Sequence, residues 1–336
     1  MRKLAIISLC VAAAMVLSAC GGGQGTGGPK KKVIAVIPKG TTHEFWLSVK
    51  AGAVRAGKDL GVEVLWIGPE REDDRNQQID VVNNMVIRGV DGIVLAPLDK
   101  HALVTPVAKA KAAGIPVVII DSALEGSDFI SFVATDNYKG GQLGGKRSAE
   151  LLDSNGTAIM LRYQENSAST ENREAGWMDE IKKHPKIKVL SEEQRSGATK
   201  ESAQTAADNL LDRFTKDGQL QCGVIFCPNE SSAYGMLMSL RNKRFAGKVK
   251  YVGFDASEAL VTGLYQGEIH GLVLQNPEKM GYEGVKAMLA HLDGKTVPKR
   301  IDTGVVLITK EDLDKPATKA LVPKVDEWLA EARKKK

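Results

Sequence analysis

The sequence predicts an α/β protein of two similar lobes, each built on a parallel sheet. Three observations predict it. Apolar, β-branched runs alternate with amphipathic stretches from Lys32 onward. Runs such as VIAVIP and GIVLAP are apolar throughout, as in strands buried on both faces of a parallel sheet. The same order of elements then begins a second time after Asp136.

VIAVIP opens the first set as a strand, and Glu44 to Leu60 follows as an amphipathic helix. VEVLWIG is the second strand. Asp74 to Arg88 reads as a helix because Ile79, Val82 and Met85 recur at spacings of three. GIVLAP, a helix from His101 to Ala113, IPVVIID and FISFVAT complete the set, with connections of βαβ length. The second set runs through a helix from Tyr138 to Leu152, strand TAIMLR and a helix near Glu171 to Lys183. Strand IKVLSE, a helix from Thr199 to Phe214, strand GVIFC, a helix from Ser232 to Lys243 and strand KYVGFD follow. Matched points support a repeat. GIVLAP and GVIFCP each end in Pro; PVVIID and KYVGFD each end in Asp, at Asp121 and Asp255. Sets of roughly 100–140 residues fit ordinary domain sizes. No Pro- or Ser-rich linker separates them, so the lobes are joined closely enough to hinge.

The chain has 336 residues, 43% hydrophobic, which excludes a disordered protein. Its net charge of +5 is concentrated at the ends. Lys30 to Lys32, Lys334 to Lys336, Arg2 and Lys3 hold eight of the 46 basic residues. The remaining 38 face 41 acidic residues, so the body is about −3. A nucleic-acid binder carries its positive charge on the fold, and no nucleic-acid partner is expected.

Residues 1–19 read as a secretory signal, with Arg2 and Lys3 before a short apolar stretch from Leu4 to Leu17. Leu17-Ser18-Ala19-Cys20 resembles the bacterial lipoprotein signal. That resemblance implies cleavage before Cys20, a diacylated thiol and attachment to a membrane; plain secretion is the alternative. Residues 20–32 are a Gly- and Lys-rich tether, and no later segment is apolar enough to span a bilayer. The expected location is the cell envelope, periplasmic or otherwise outside the cytoplasm. Cys222 and Cys227 close the two ends of one strand. Five extended steps separate them by roughly 17 Å, beyond the roughly 4.4–6.8 Å of a disulfide. Two buried free thiols are expected.

In open α/β sheets ligands bind beyond the carboxyl ends of the strands. That rule nominates the loop Lys39 to Trp46, then Asp121 and Ser122, Tyr163 and Gln164, Asn229 and Glu230, Asp255, and Gln275. Carboxylates and amides suit a ligand whose hydroxyls both donate and accept. Phe45 and Trp46 can pack on the C–H face of a sugar ring; as helix neighbours they diverge by about 100°, and at least one is expected to face the cleft. Each nominee has a plainer role open to it. Asp121, Asp255 and Asn229 also suit turns, and Arg173 also suits a solvated helix face. A buried Arg173 would need anionic partners, which the two strand-end aspartates provide.

Enzyme signatures are missing. His43-Glu44 lacks the second His of a zinc-protease motif, since position 47 is Leu. There is no nucleophile elbow, no dinucleotide fingerprint and no phosphate loop. No metal or other cofactor is expected. Gly140, Gly141, Gly144 and Gly145 read as close packing or hinge clearance, and His101 and His291 as surface residues.

From Val33 to about Ile308 the chain resembles the periplasmic sugar-binding proteins related to the lac repressor core, nearest in pattern to ribose-binding protein. The stretches that carry the resemblance include VIAVIPKGTTHEFWLSVKAGA, GIPVVIIDS, VATDNYKGG, ENREAGW, IFCPNESSAYGM, YVGFDA and LQNPEKMG. The resemblance implies two Rossmann-like lobes, a three-stranded hinge crossover and a ligand in the interlobe cleft. The charge pattern leaves a basic tail of 331–336; the resemblance implies a first lobe of 33–135 plus 276–303 and a second of 136–275 plus 304–330. It implies that Phe45 and Trp46 stack on the ligand and that Asp121, Arg173, Asn229, Asp255 and Gln275 bind its hydroxyls. His43 stands where the ribose proteins have Asn, and Ser122 where they have a bidentate Arg, which argues against ribose itself. Ala198 lies near the point of their second-lobe aromatic, so the roof over the ligand is expected to be more open or differently shaped. The calcium loop of the glucose/galactose proteins is not seen.

The implied function is a monomeric, non-enzymatic receptor that captures a sugar and delivers it to an ABC permease complex by closing around it. Two alternatives stay open: a sugar or small furanosyl-signal receptor for a sensor kinase or chemoreceptor, and a nucleoside-binding lipoprotein. A transcriptional regulator is disfavoured, because a signal and tether occupy the place of a DNA-binding headpiece.

Overall fold

The computed structural model describes residues 31–334. The signal, Cys20, most of the tether and the last two lysines of the basic tail lie outside the described residues.

The first sheet is entered by β1 (Val33–Ile37), α1 (Glu44–Leu60), β2 (Glu63–Trp66), α2 (Arg75–Arg88), β3 (Gly92–Leu95), α3 (Val104–Ala112), β4 (Val117–Ile120) and β5 (Ser131–Ala134). The chain then crosses to α4 (Asn137–Leu151), β6 (Gly156–Met160), α5 (Ala168–Ile181), β7 (Ile187–Ser191) and α6 (Lys200–Arg213). A small hairpin, β8 (Thr215–Lys216) and β9 (Gln219–Leu220), precedes β10 (Val224–Phe226), α7 (Glu230–Asn242), β11 (Lys250–Phe254), α8 (Glu258–Gln266) and β12 (Gly271–Gln275). It returns through α9 (Pro277–Leu292) to β13 (Arg300–Asp302), and crosses again to β14 (Val305–Ile308). A short 3-10 turn, α10 (Pro316–Leu321) and α11 (Val325–Lys334) end it.

The sheet orders are β13-β5-β4-β3-β1-β2 and β14-β12-β11-β10-β6-β7. Each lobe therefore repeats one winding, and the two switch points fall after β1 and after β6. The first sheet is wholly parallel; the second differs from the expectation in one edge strand, since β14 runs antiparallel to β12. The central strands β1, β3 and β4 are buried on both faces as their composition requires. Ile34 to Ile37, Ile93 to Leu95 and Ile119 to Ile120 are inaccessible to solvent. Each such side chain contributes roughly 1.5–3 kcal/mol by burial.

Three segments connect the sheets: β5 to α4, β12 to α9, and β13 to β14. Two of them, β5 to α4 and β13 to β14, are tied side by side. Thr303 N donates to Ala134 O (3.2 Å), and Thr135 Oγ1 lies 3.3 Å from Thr303 Oγ1. Arg300 Nη1 and Nη2 donate to Ala134 O (2.6 Å) and Thr135 O (2.9 Å).

The glycines opening α4 are close packing. A Cβ at Gly141 would lie 2.0 Å from Arg173 O of α5, and one at Gly176 of α5 would lie 2.1 Å from Tyr138 O. Only glycine lets the two helices approach this far, and the approach fixes where Arg173 stands. The thiols correct one expectation. Both are free, but Cys227 alone is fully buried and Cys222 is partly exposed. Burial raises both thiols to about 12. His101 and His291 are exposed. Among the described residues no helix is long and apolar enough to cross a membrane.

Candidate functional site

The carboxyl ends of both sheets face one small polar cavity of about 30 Å³. The first lobe lines it with Lys39, His43, Phe45, Trp46, Glu72 and Asp121; the second with Tyr163, Ser169, Thr170, Arg173, Asn229, Glu230, Asp255 and Gln275.

Arg173 is the centre of the wall. It is 2% exposed, and α5 holds it between the two lobes. Its Nε donates to Asn137 Oδ1 (2.8 Å) and its Nη1 to Pro228 O (3.0 Å), while the guanidinium lies 4.0 Å over the Phe254 ring. Its remaining charge faces Asp121 at 4.0 Å and Asp255 at 3.9 Å. Both aspartates follow corresponding strands and both adopt left-handed backbone, with φ of 61° and 68°. Asp tolerates this region better than most residues.

The aspartates differ in their partners. Asp121 pairs with the buried Lys39 Nζ at 2.8 Å. Asp255 accepts from Gln275 Nε2 (2.7 Å) and from Glu230 N (3.1 Å). Burial raises its pKa to about 6, and Arg173 and Gln275 offset this only in part. Gln275 Oε1 is buried with no hydrogen-bond partner among the described residues.

A second group surrounds Glu72, in the loop after β2. Its carboxylate meets His43 Nδ1 (2.6 Å), Trp46 Nε1 (2.7 Å) and Tyr163 OH (2.6 Å). Burial alone would lower the His43 pKa, but the Glu72 charge overrides it and raises it to about 9. Burial would likewise raise Glu72, yet the His43 charge holds it at about 2. Phe45 and Trp46 pack edge to face, centroids 4.9 Å apart, and both border the cavity.

Bonds cross from lobe to lobe around the rim. Lys39 Nζ donates to Ser169 Oγ (3.0 Å), Ser169 N to Ser122 Oγ (3.0 Å), and Phe45 N to Glu230 Oε2 (3.1 Å). Lys100 pairs with Glu171 at 2.7 Å. The lobes are thus in contact.

His43, Phe45, Trp46, Asp121, Arg173, Asn229, Asp255 and Gln275, all nominated from sequence, come together here. Asn229 caps α7, bonding the Ser232 amide and hydroxyl, so it takes the turn role while bordering the cavity. Ser122 is not among the lining residues; it is buried and bonds Ser169 instead. Ala198 lies with Thr42, Lys200 and Glu201 in an adjoining space that shares His43 and Glu72. Sequence reasoning passed over Glu72, Ser169 and Thr170. For Glu72 the one signal is its place in the loop after β2, six residues past the strand's end at Trp66.

Two switch points, a polar cavity between the sheets and a hinge of three crossings describe a two-lobed binding protein. Comparison gives the family. Residues 34–296 match the periplasmic binding protein domain, and the chain belongs to that family. It is 30% identical over 286 residues to the D-ribose/D-allose-binding protein of Pseudomonas aeruginosa, covering 83% of this chain and 87% of that one. It is 26% identical over 287 residues to the ribose import binding protein RbsB of Bacillus subtilis, covering 85% and 90%. A carbohydrate transporter solute binding protein from Agrobacterium radiobacter, solved with D-arabinose, superposes with a TM-score of 0.81. The identity there is 32%, over 87% of this chain and 99% of that one.

Proposed function

We propose that the protein is an extracytoplasmic receptor that encloses one neutral monosaccharide between its lobes and presents the closed form to an ABC sugar importer. The observation that carries this is the charge balance of the cavity. Four carboxylates line it, Glu72, Asp121, Glu230 and Asp255, with three cations, Lys39, His43 and Arg173. A fourth cation, Lys200, pairs with Glu230. No charge is left for an ionic ligand, whereas lone pairs and N–H groups remain for hydroxyls. The nine residues nominated from sequence are its proposed ligand-binding set, with Ser122 acting through Ser169 rather than by contact. A relative named for D-ribose and D-allose and a solved neighbour holding D-arabinose support the class of ligand. Lobes of 33–135 with 276–303, and 136–275 with 304–330, would move about the tied crossings. A lipid anchor at Cys20 would hold the monomer at the membrane.

Ligand touching both lobes favours the closed state. A thermal-shift panel of pentoses, hexoses, uronic acids and nucleosides tests the proposal. A neutral monosaccharide should raise the melting temperature, as ligand binding to the native state requires, and should shrink the radius of gyration. Stabilisation by uronic acids or nucleosides alone would overturn it.

A further inference from the structure

We infer that Glu230 is a closure clasp: a positioning residue of the second lobe that caps helix α1 of the first lobe when the lobes meet. The amides of a helix's first turn lack partners within the helix and carry partial positive charge. A side chain just before the helix ordinarily satisfies one of them. Here the residue before α1 is His43, which makes no such bond; its Nδ1 is engaged by Glu72 at 2.6 Å. Glu230 Oε2 from the opposite lobe accepts from Phe45 N instead, at 3.1 Å. A carboxylate is the group best suited to that position.

The clasp is built rather than incidental. Glu230 is 2% exposed. Its other oxygen faces Lys200 Nζ at 3.1 Å, and that ammonium lies 4.9 Å from the Tyr234 ring centroid. Its own amide donates to Asp255 Oδ2 (3.1 Å), and the residue it caps, Phe45, borders the cavity. One residue therefore links the two lobes and touches a cavity group from each side. Any opening about the three crossings that parts α1 from α7 breaks the Phe45 bond and leaves the carboxylate facing solvent. The protein itself, apart from ligand, thus supplies part of the drive to close. Only the sugar arm of the test below rests on the receptor reading.

The test is amide hydrogen exchange of the full chain without sugar, compared with Glu230→Ala, Glu230→Gln and Lys200→Met. In the wild type the first turn of α1 should be protected. In Glu230→Ala its exchange should accelerate on the order of 10-fold or more, as loss of a hydrogen bond to a charged group predicts, while the middle of α1 is unchanged. Glu230→Gln keeps an acceptor oxygen and should fall between. Lys200→Met leaves the acceptor in place but unanchored, and serves if the Ala variant does not fold. Affinity for D-ribose, D-allose and D-arabinose, whichever binds, should fall in the same order of variants. Equal first-turn exchange in wild type and Glu230→Ala would overturn the clasp, whatever the sugars do. Failure of all three sugars with the exchange effect intact would count against the receptor reading and leave the clasp standing.

Discussion

Asp255→Asn should make the protein more stable and a poorer receptor. Asp255 is 7% exposed, and its carboxyl titrates at about 6 rather than its ordinary 3.8. Burial is the largest cause, and the nearby Glu230 charge adds to it. A raised carboxyl means that the fold holds the proton more tightly than the unfolded chain does. The charged form is therefore a penalty, fully present above about pH 6 and relieved as pH falls toward 3.8. The distance between those values corresponds to roughly 3 kcal/mol. Asparagine removes the charge, keeps the shape and tolerates the left-handed backbone that Asp255 adopts at φ 68°. Gln275 Nε2 still finds an acceptor, but the Glu230 amide loses one, which costs about 1 kcal/mol. The net gain at pH 7 is about 2 kcal/mol, measurable by urea unfolding without sugar. At pH 4 the gain should vanish, because the wild-type side chain is then protonated too. Sugar affinity should move the other way, weakening by about 2 kcal/mol, since a charge-assisted acceptor is gone. A variant less stable than wild type at pH 7, or a gain that persists unchanged at pH 4, would refute the reasoning.

Two further outcomes follow from the paired groups. His43 titrates at about 9 instead of 6.5, so its stabilising charge is fully present below pH 6.5 and lost as pH rises through 9. Urea midpoints of the wild type should decline over that window, and His43→Asn should lose the decline. Lys39→Met removes the close cation from buried Asp121 (2.8 Å) and should destabilise the protein by about 3–5 kcal/mol. Adding Asp121→Asn to that variant should recover part of the loss in a double-mutant cycle; strict additivity would show that the pair does not interact.

The elements were legible because the pattern was local. The helix expected over Glu44 to Leu60 has those same bounds, and the Asp at the end of KYVGFD reaches the cavity as the strand-end rule requires. Repetition gave Asp121 and Asp255 a weight that neither had alone. Glu72 stayed hidden for a physical reason: it sits in the run GPEREDD, which reads as a solvated charged loop. Only the fold turns that one carboxylate inward, to His43, Trp46 and Tyr163. Glu230 was nominated as a strand-end residue, but its bond to Phe45 spans 185 positions and two lobes. No window along the chain contains such a contact. The helices after Ile308 also went unassigned; α10 and α11 are short, yet Val322, Val325 and Leu329 complete the second lobe's core.

The duplication explains why the two aspartates are not equivalent. Both end the corresponding strand of a repeated winding, with nearly the same φ. A symmetrical pair would need a cation in each lobe. The first lobe has one, Lys39, seated on Asp121. The second lobe puts no lysine beside Asp255, which relies on an amide, a backbone N–H and half-distant Arg173 at 3.9 Å. Asp255 is therefore the under-compensated group, and its pKa records the shortfall. On the receptor reading proposed above, donors from sugar hydroxyls would supply what is missing. An ordinary strand-end carboxylate, fully matched within the protein, would bind a polyol weakly, because the ligand would displace partners of equal strength. On that reading, sugar binding would relieve part of the burial cost that Asp255 carries.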